Sequence, residues 1–417
     1  MKTGSLSFLA GFLAAGLQIT FGSDADLSQL ARANNTFTFK LVKQLAAEKP
    51  DASIFVSPYS AATALQMVAN GAAGQTKIEM QQVLETSGIS TEALHQASKA
   101  AAALLNPGDT NVILTTANAL WYRQGAQINP EFVAVNQRSF SATVKPLDFA
   151  NVPAAEAAIN QWASDQTHGR ITGIANGMID PLYTDLILAN AIYFKGKWLD
   201  PFDKNLTKER PFHSATGAAK NLPMMELRKN FTYHEGFGFQ AVRLPYVGGD
   251  LAMYVFLPDP GSSPTKLLQV TELPLMLYCI HGEPGQSMTM PGFDWRKGLL
   301  VLPKFKLENT LELKPTLQTL GIKTAFNDLK SQPDADFSGM FKDASHHISE
   351  VRQKAFVEVS EEGTEAAAVT DISVPPSAGP ELNPPKPFEM IVDRPFLFAI
   401  VAARSEMILF LGVVNDL

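Results

Sequence analysis

Among 417 residues there is one cysteine, Cys279, which excludes an internal disulfide and any cysteine-rich metal site. Charge is also scarce: charged side chains make up 18% of the chain. The 34 basic and 41 acidic groups leave a net charge of −7 with no basic cluster, a poor match for nucleic acid or an anionic membrane. Beyond residue 21 no apolar run is long enough to span a bilayer. Catalytic signatures are missing: there is no G-x-S-x-G elbow, no H-E-x-x-H and no P-loop. Gly236-Phe237-Gly238 lacks the third glycine and the context of a dinucleotide site and reads as a strand end. None of the seven histidines pairs with another at metal-ligand spacing, and the adjacent His346 and His347 would point to opposite sides of a strand. A triad assembled only in space leaves no such trace, so a hydrolase stays as an alternative.

Apolar residues make up 46% of the chain, enough for a sizeable core. Lys2, the apolar stretch Leu6 to Phe21 and the small residues up to Ala25 have the order of a secretory leader. The expectation is a leader over 1–25, one domain over 26–417, and an exported product, periplasmic in a Gram-negative source. Asn34, Asn205 and Asn230 open N-x-Thr sequons. Helical spacing predicts helices over Leu27 to Leu45, from Ser57-Pro58 to Val68, from Gly74, and over Thr91 to Leu105. Thr76 and Glu79 have the spacing of a capping box, and Thr91 reads as a cap. Strands follow: Val112 to Tyr122, Leu186 to Phe194, Leu251 to Leu257, Leu300 to Leu307, Ala355 to Val359, Phe396 to Ala402 and Met407 to Val414. Helical returns fall at Pro153 to Gln166 and Leu313 to Leu320. No repeat or linker divides the chain, so the fold class is α+β in one large domain.

The segment after Val359 departs from this pattern. Thr364, Ala366, Ala368, Thr370, Ile372 and Val374 form one uncharged face of a period of two. Glu365, Ala367, Val369, Asp371 and Ser373 form the other. This is a latent strand with a buriable face. Gly363 just before it tolerates large backbone changes. Past Val374 come Pro375-Pro376, Pro380, Pro384-Pro385 and Pro387, which suit neither strand nor helix. A loop this long inside a compact domain is functional or disordered.

Glu361-Glu362-Gly363-Thr364-Glu365-Ala366-Ala367-Ala368 resembles the proximal hinge of a serpin (serine protease inhibitor) reactive-centre loop. The likeness extends, in the family's order, through Ser57-Pro58-Tyr59-Ser60, Asn190-Ala191-Ile192-Tyr193-Phe194-Lys195-Gly196-Lys197-Trp198, Phe256-Leu257-Pro258-Asp259, Leu302-Pro303-Lys304-Phe305, Leu320-Gly321-Ile322, Ala335-Asp336-Phe337-Ser338-Gly339 and Asp393-Arg394-Pro395-Phe396-Leu397-Phe398. The resemblance implies three β-sheets, eight or nine helices and an exposed loop over about 361–388. It also implies a monomer without cofactor or metal that traps a serine, or possibly a cysteine, protease as an acyl-enzyme when the cut loop inserts into the main sheet. A non-inhibitory serpin, a carrier or chaperone, is the alternative; the uncharged inward face of the hinge speaks against it.

Gln353 stands where the family often has a histidine. That position belongs to a hydrogen-bonded centre with the counterparts of Ser57, Ser60 and Asn190, while Trp198 marks the upper end of the sheet. Glutamine can donate and accept but cannot titrate. Counting forward from Gly363 by the family distance places the reactive bond at Ser377-Ala378, with Leu382-Asn383 as second choice. Small residues there suit an elastase- or subtilisin-like protease, and a chymotrypsin-like one over a trypsin-like one, since Lys386 precedes Pro387. No heparin site is expected, because Thr91 to Leu105 carries only Lys99.

Overall fold

The computed structural model describes residues 24–105, 111–270, 294–327, 334–343, 346–364 and 386–417. The described residues form eight α-helices: α1 (Asp24–Glu48), α2 (Pro58–Ala69), α3 (Gly74–Val83), α4 (Thr91–Leu105), α5 (Pro130–Phe140), α6 (Val152–Gln166), α7 (Pro264–Val270) and α8 (Lys314–Leu320). No helix among them is long and apolar enough to cross a membrane.

The main sheet joins β2 (Val112–Arg123), β3 (Thr143–Leu147), β4 (Leu186–Lys197), β10 (Phe305–Glu312), β11 (Ile348–Ser360) and β12 (Gly363–Thr364). Its order is β10-β11-β12-β4-β2-β3, and below the two-residue β12 the strands β11 and β4 pair directly, in parallel. A nine-stranded network holds β1 (Ile54–Val56), β5 (Lys208–His213), β6 (Ala219–Gly236), β7 (Phe239–Pro245), β8 (Leu251–Pro258), β9 (Asp294–Pro303), β13 (Phe388–Ile391), β14 (Phe396–Ala402) and β15 (Met407–Val414). Strand β6 pairs β5 through its first part and β7 through its last, so two sheets run together along its length.

Strand β4 is buried on both faces, as its unbroken apolar run requires. Ile187, Ala189 and Ala191 pack under Ile159 and Trp162 of α6. Ile192 and Phe194 join the core shared with the nine-stranded network. Helix α2 is mostly apolar and almost wholly buried, with the Ser57 hydroxyl capping its start.

Three sequence expectations change. Thr76 does not cap α3, which starts at Gly74 after an uncapped Ala73. Its hydroxyl accepts from the Asp336 N–H at 2.9 Å, while the Glu79 carboxylate accepts from the Lys323 and Thr324 N–H groups. Both side chains serve tertiary contacts, which outweigh local capping. Helix α4 is capped by Ser90, whose hydroxyl accepts from Ala93, rather than by Thr91. Leu300 to Leu307 is two strands in different sheets, broken at Lys304, whose N–H donates to the Pro223 carbonyl of β6 at 2.9 Å before the chain crosses to pair with β11. Of the sequons, Asn205 and Asn230 are exposed, but Asn34 is buried against Gln66 and Met407.

Candidate functional site: hinge, latch and amide centre

The hinge enters the main sheet at its upper end. Ser360 ends β11, and the chain reverses at Glu361-Glu362 so that Gly363 and Thr364 form β12 between β11 and β4. Gly363 pairs with Lys197 and Thr364 with Gly196. Gly363 has φ near +146°, and a Cβ there would come within 2.1 Å of the Gly196 carbonyl oxygen, so only glycine makes this crossing. Thr364 is fully buried on the inward face, as the alternation requires.

Below Thr364 lies an aromatic floor. The Tyr246 hydroxyl and the Thr364 hydroxyl share a hydrogen bond of 2.8 Å. Tyr246 stacks on Trp198 at 4.6 Å between ring centroids and meets Phe194 edge-on at 5.0 Å. Burial pushes the Tyr246 phenol pKa up, against the Thr364 hydrogen bond, so the ring stays neutral. Trp198 Nε1 donates to the Ser360 carbonyl at 3.0 Å, and its backbone N–H donates to the Glu362 carbonyl at 3.1 Å.

Two carboxylates latch the turn. Glu361 lies 2.9 Å from Lys304 Nζ, accepts from the Thr207 hydroxyl at 2.9 Å, and receives the Phe202 N–H on its carbonyl. Burial raises the Glu361 pKa, but the hydrogen bonds and charge of Lys304 and the Thr207 bond outweigh it and hold the carboxyl below its ordinary value. Glu362 pairs with the exposed Lys204.

The second group sits lower, where β11 and β4 touch. Gln353 lies level with Asn190 and is wholly buried. Its carbonyl accepts from the Ser57 N–H at 2.8 Å, and its amide donates to the Ser57 carbonyl at 2.9 Å and to Asn190 Oδ1 at 2.6 Å. Asn190 donates to Asn118 Oδ1 at 2.7 Å and to the Ser60 hydroxyl. Ser57 Oγ donates to the Leu409 carbonyl at 2.6 Å and accepts from the Ser60 N–H at 3.3 Å. These side chains tie β2, β4, β11, β15 and α2 at one point with no titratable group.

The structure thus brings Ser57, Ser60, Asn190 and Gln353 together, and places Trp198 with Glu361, Glu362, Gly363 and Thr364. Sequence reasoning missed Asn118, Tyr246, Lys304, Lys204 and Thr207. Asn118 left a trace, as a polar residue in an otherwise apolar stretch of β2, and Lys304 stood in the Leu302-Pro303-Lys304-Phe305 stretch without its role being read. Glu365, Ala366, Ala367 and Ala368 of the hinge and both candidate bonds, Ser377-Ala378 and Leu382-Asn383, lie outside the described residues. The described residues hold no group of histidine, cysteine, aspartate or glutamate suited to a metal ion.

The described residues thus join a sheet whose upper end holds a returning two-residue strand to a buried amide centre below it. A family model described as Serpin (serine protease inhibitor) matches residues 32–417. A leukocyte elastase inhibitor from Homo sapiens is 36% identical over 392 residues, covering 93% of this chain and 99% of the relative. Iripin-8 from Ixodes ricinus is 34% identical over 400 residues, with 94% of each chain covered. The crystal structure of Serpin48 from the insect Tenebrio molitor superposes with a TM-score of 0.77 at 29% identity, covering 93% of this chain and 98% of that one. The chain belongs to the serpin family.

Proposed function

We propose that this serpin is an exported, monomeric suicide-substrate inhibitor of a serine protease with a shallow, elastase-like specificity pocket. The observation that carries this reading is the register of β12. Thr364 stands opposite Gly196 on β4 and Val359 on β11. Each further loop residue would step one position down both strands. Thr370 would then arrive opposite both Asn190 and Gln353, and Val374 opposite Leu186, the first residue of β4. The gap therefore accommodates 364 to 374, the same stretch over which the sequence alternates before the prolines begin.

Thr364, Thr370 and Val374 share a parity, so the inserted face would be the small, uncharged one. The Thr370 hydroxyl would meet the buried amides of Asn190 and Gln353. The new strand would gain ladder bonds on both sides. At about 1 kcal/mol net per bond, insertion would release on the order of 10 kcal/mol. The protein is consumed as a substrate and catalyses nothing. In this mechanism the protease's own nucleophile forms the acyl-enzyme, and insertion of the cut loop distorts its active site before deacylation. Strand addition of this kind is the established behaviour of serpin loops. Small residues at Ser377-Ala378 support the elastase-like target, as does the name of the human relative.

Cutting the loop between Val374 and Pro387 should raise the melting temperature sharply, because the freed segment can insert. Incubation with elastase-, chymotrypsin- and subtilisin-like proteases should give a complex that survives SDS and boiling, with the loop cut at Ser377-Ala378. An unchanged or lower melting temperature in the cut form overturns the inhibitory reading. A cut at Leu382-Asn383 moves the bond and keeps the mechanism.

A further inference from the structure

The lower end of the gap between β4 and β11 holds a cluster that the amide centre and the latch leave unused. Asp185 is the residue before β4, and His346 and His347 precede β11. Both Asp185 carboxylate oxygens meet His346 Nδ1, at 2.9 and 3.1 Å. One of them also accepts from the His347 N–H at 2.9 Å and lies 3.7 Å from His347 Nδ1. The Asp185 N–H donates to the Ser349 hydroxyl at 2.8 Å. These contacts cross from one strand to the other just below the first pair of the parallel ladder, Ile348 with Leu186.

The other ring nitrogen of His346, Nε2, lies 3.2 Å from Asp343 Oδ1, and the Gln127 N–H anchors Asp343 at 3.1 Å. The ring lies against Phe341, 4.0 Å between centroids, and its side chain is only 10% exposed. Other charged groups nearby are His347, Lys314, which donates to the Ser349 carbonyl at 3.0 Å, and, lining a cavity of about 620 Å³ that includes His346, Lys342, Asp334 and Asp336. The Arg123 guanidinium is bound to the Pro181 and Thr184 carbonyls.

An imidazole with a carboxylate at each nitrogen can donate to both only when protonated. Burial lowers the His346 pKa, but the hydrogen bonds and charges of Asp185 and then Asp343 outweigh it and hold the ring above its ordinary value. Asp343 is shifted the other way: burial raises it, and the Gln127 and His346 bonds outweigh that.

We propose that Asp185, His346 and Asp343 form a proton-set clasp on the foot of the gap, closed at mildly acid pH and released as pH rises. The proposal rests on the insertion reading for its consequence. When Val374 reaches Leu186, β4 and β11 must part, and His346 loses Asp185 while keeping Asp343 on its own segment. The pKa is therefore higher in the closed foot than in the open one. The extra stability of the closed foot is fully present below the open-foot pKa and is lost as pH rises through the closed-foot pKa. Each unit by which closure raises that pKa allows up to about a tenfold change in foot opening, and so in the last stage of insertion.

The test is hydrogen–deuterium exchange on the intact, uncut chain, followed in peptides covering 183–190 and 346–352 and corrected for intrinsic rates. It compares about pH 6 with about pH 8, either side of the ordinary imidazole range. The wild type should be more protected at the lower pH, and His346→Gln should lose that difference. Asp185→Asn, which removes the carboxylate that opening takes from His346, should narrow the difference and serves if His346→Gln folds poorly. Equal protection at both values in the wild type, or an unchanged difference in His346→Gln, overturns the clasp. The melting temperature of the loop-cut form is read in parallel: a pH-dependent foot without stabilisation on cutting establishes the clasp and refutes the inhibitory reading.

Discussion

The upper end of the gap and its middle hold the same two strands by opposite means. At the top, β11 and β4 are already separated by Gly363 and Thr364, and the turn is fixed by carboxylates, lysines and an aromatic floor. In the middle the strands touch, and uncharged side chains bind them without a single ionisable group. The top is an entrance whose grip answers to acid and salt. The middle answers only to the loss of a hydrogen-bonding partner. The proposed insertion would have to undo both, so each can be weakened separately.

The largest effect is expected at the entrance. Thr364→Arg would bury a guanidinium on Tyr246 and Gly196, at a cost of several kcal/mol. Because β12 is only two residues long, the chain should still fold with the hinge swung out. The variant should be cut at the wild-type bond and release active protease. Glu365→Arg, of opposite parity, is the control and should inhibit nearly as well as wild type. An SDS-stable complex formed by Thr364→Arg with unchanged stoichiometry sinks the insertion mechanism.

A smaller effect is expected in the middle. Asn190→Ala leaves partners on Gln353, Ser60 and Asn118 unsatisfied, each costing about 1–3 kcal/mol if nothing replaces it. Denaturant titration of the intact chain should show the loss, and slow insertion of the uncut loop should quicken. Gln353→His should make stability at this point pH-dependent: a buried neutral imidazole must charge as pH falls, so stability should drop below about pH 6.5. A Gln353→His variant whose stability follows the wild-type pH curve would show that the middle tolerates charge.

The smallest effect is expected at the latch. The Glu361 pKa is depressed in the folded chain, so its stabilisation is present above the ordinary carboxylate value and is lost as pH falls through the depressed one. Lys304→Ala should move that acid-side loss to higher pH while changing neutral-pH stability by no more than about 1 kcal/mol, since Lys304 is 38% exposed. An unmoved acid limb would assign the latch to Thr207 and the backbone alone.

The start of the hinge, Gly363 and Thr364, was legible in the sequence because it is local: a glycine followed by an alternation needs no partner to be recognised. Gln353 and Asn190 were legible through the resemblance, not through spacing, since 163 positions separate them in the register. Tyr246, Lys304 and Thr207 were not, because their roles depend on which strands become neighbours. The misread cap at Thr76 and the strand read through Lys304 share that cause. In both, a distant partner (Asp336 for the first, Pro223 for the second) outweighs the local pattern.

Strand polarity adds a last consequence. With β12 confined to the top, the centre of the main sheet carries a same-direction seam between β11 and β4, running from Ile348 with Leu186 to Phe356 with Tyr193. Strand β12 runs against both neighbours, so a strand extended from it would replace that seam with two opposed ladders. Same-direction pairing is slightly the weaker kind per residue. The described main sheet thus carries a parallel pairing at its centre, directly below a strand whose direction opposes both neighbours.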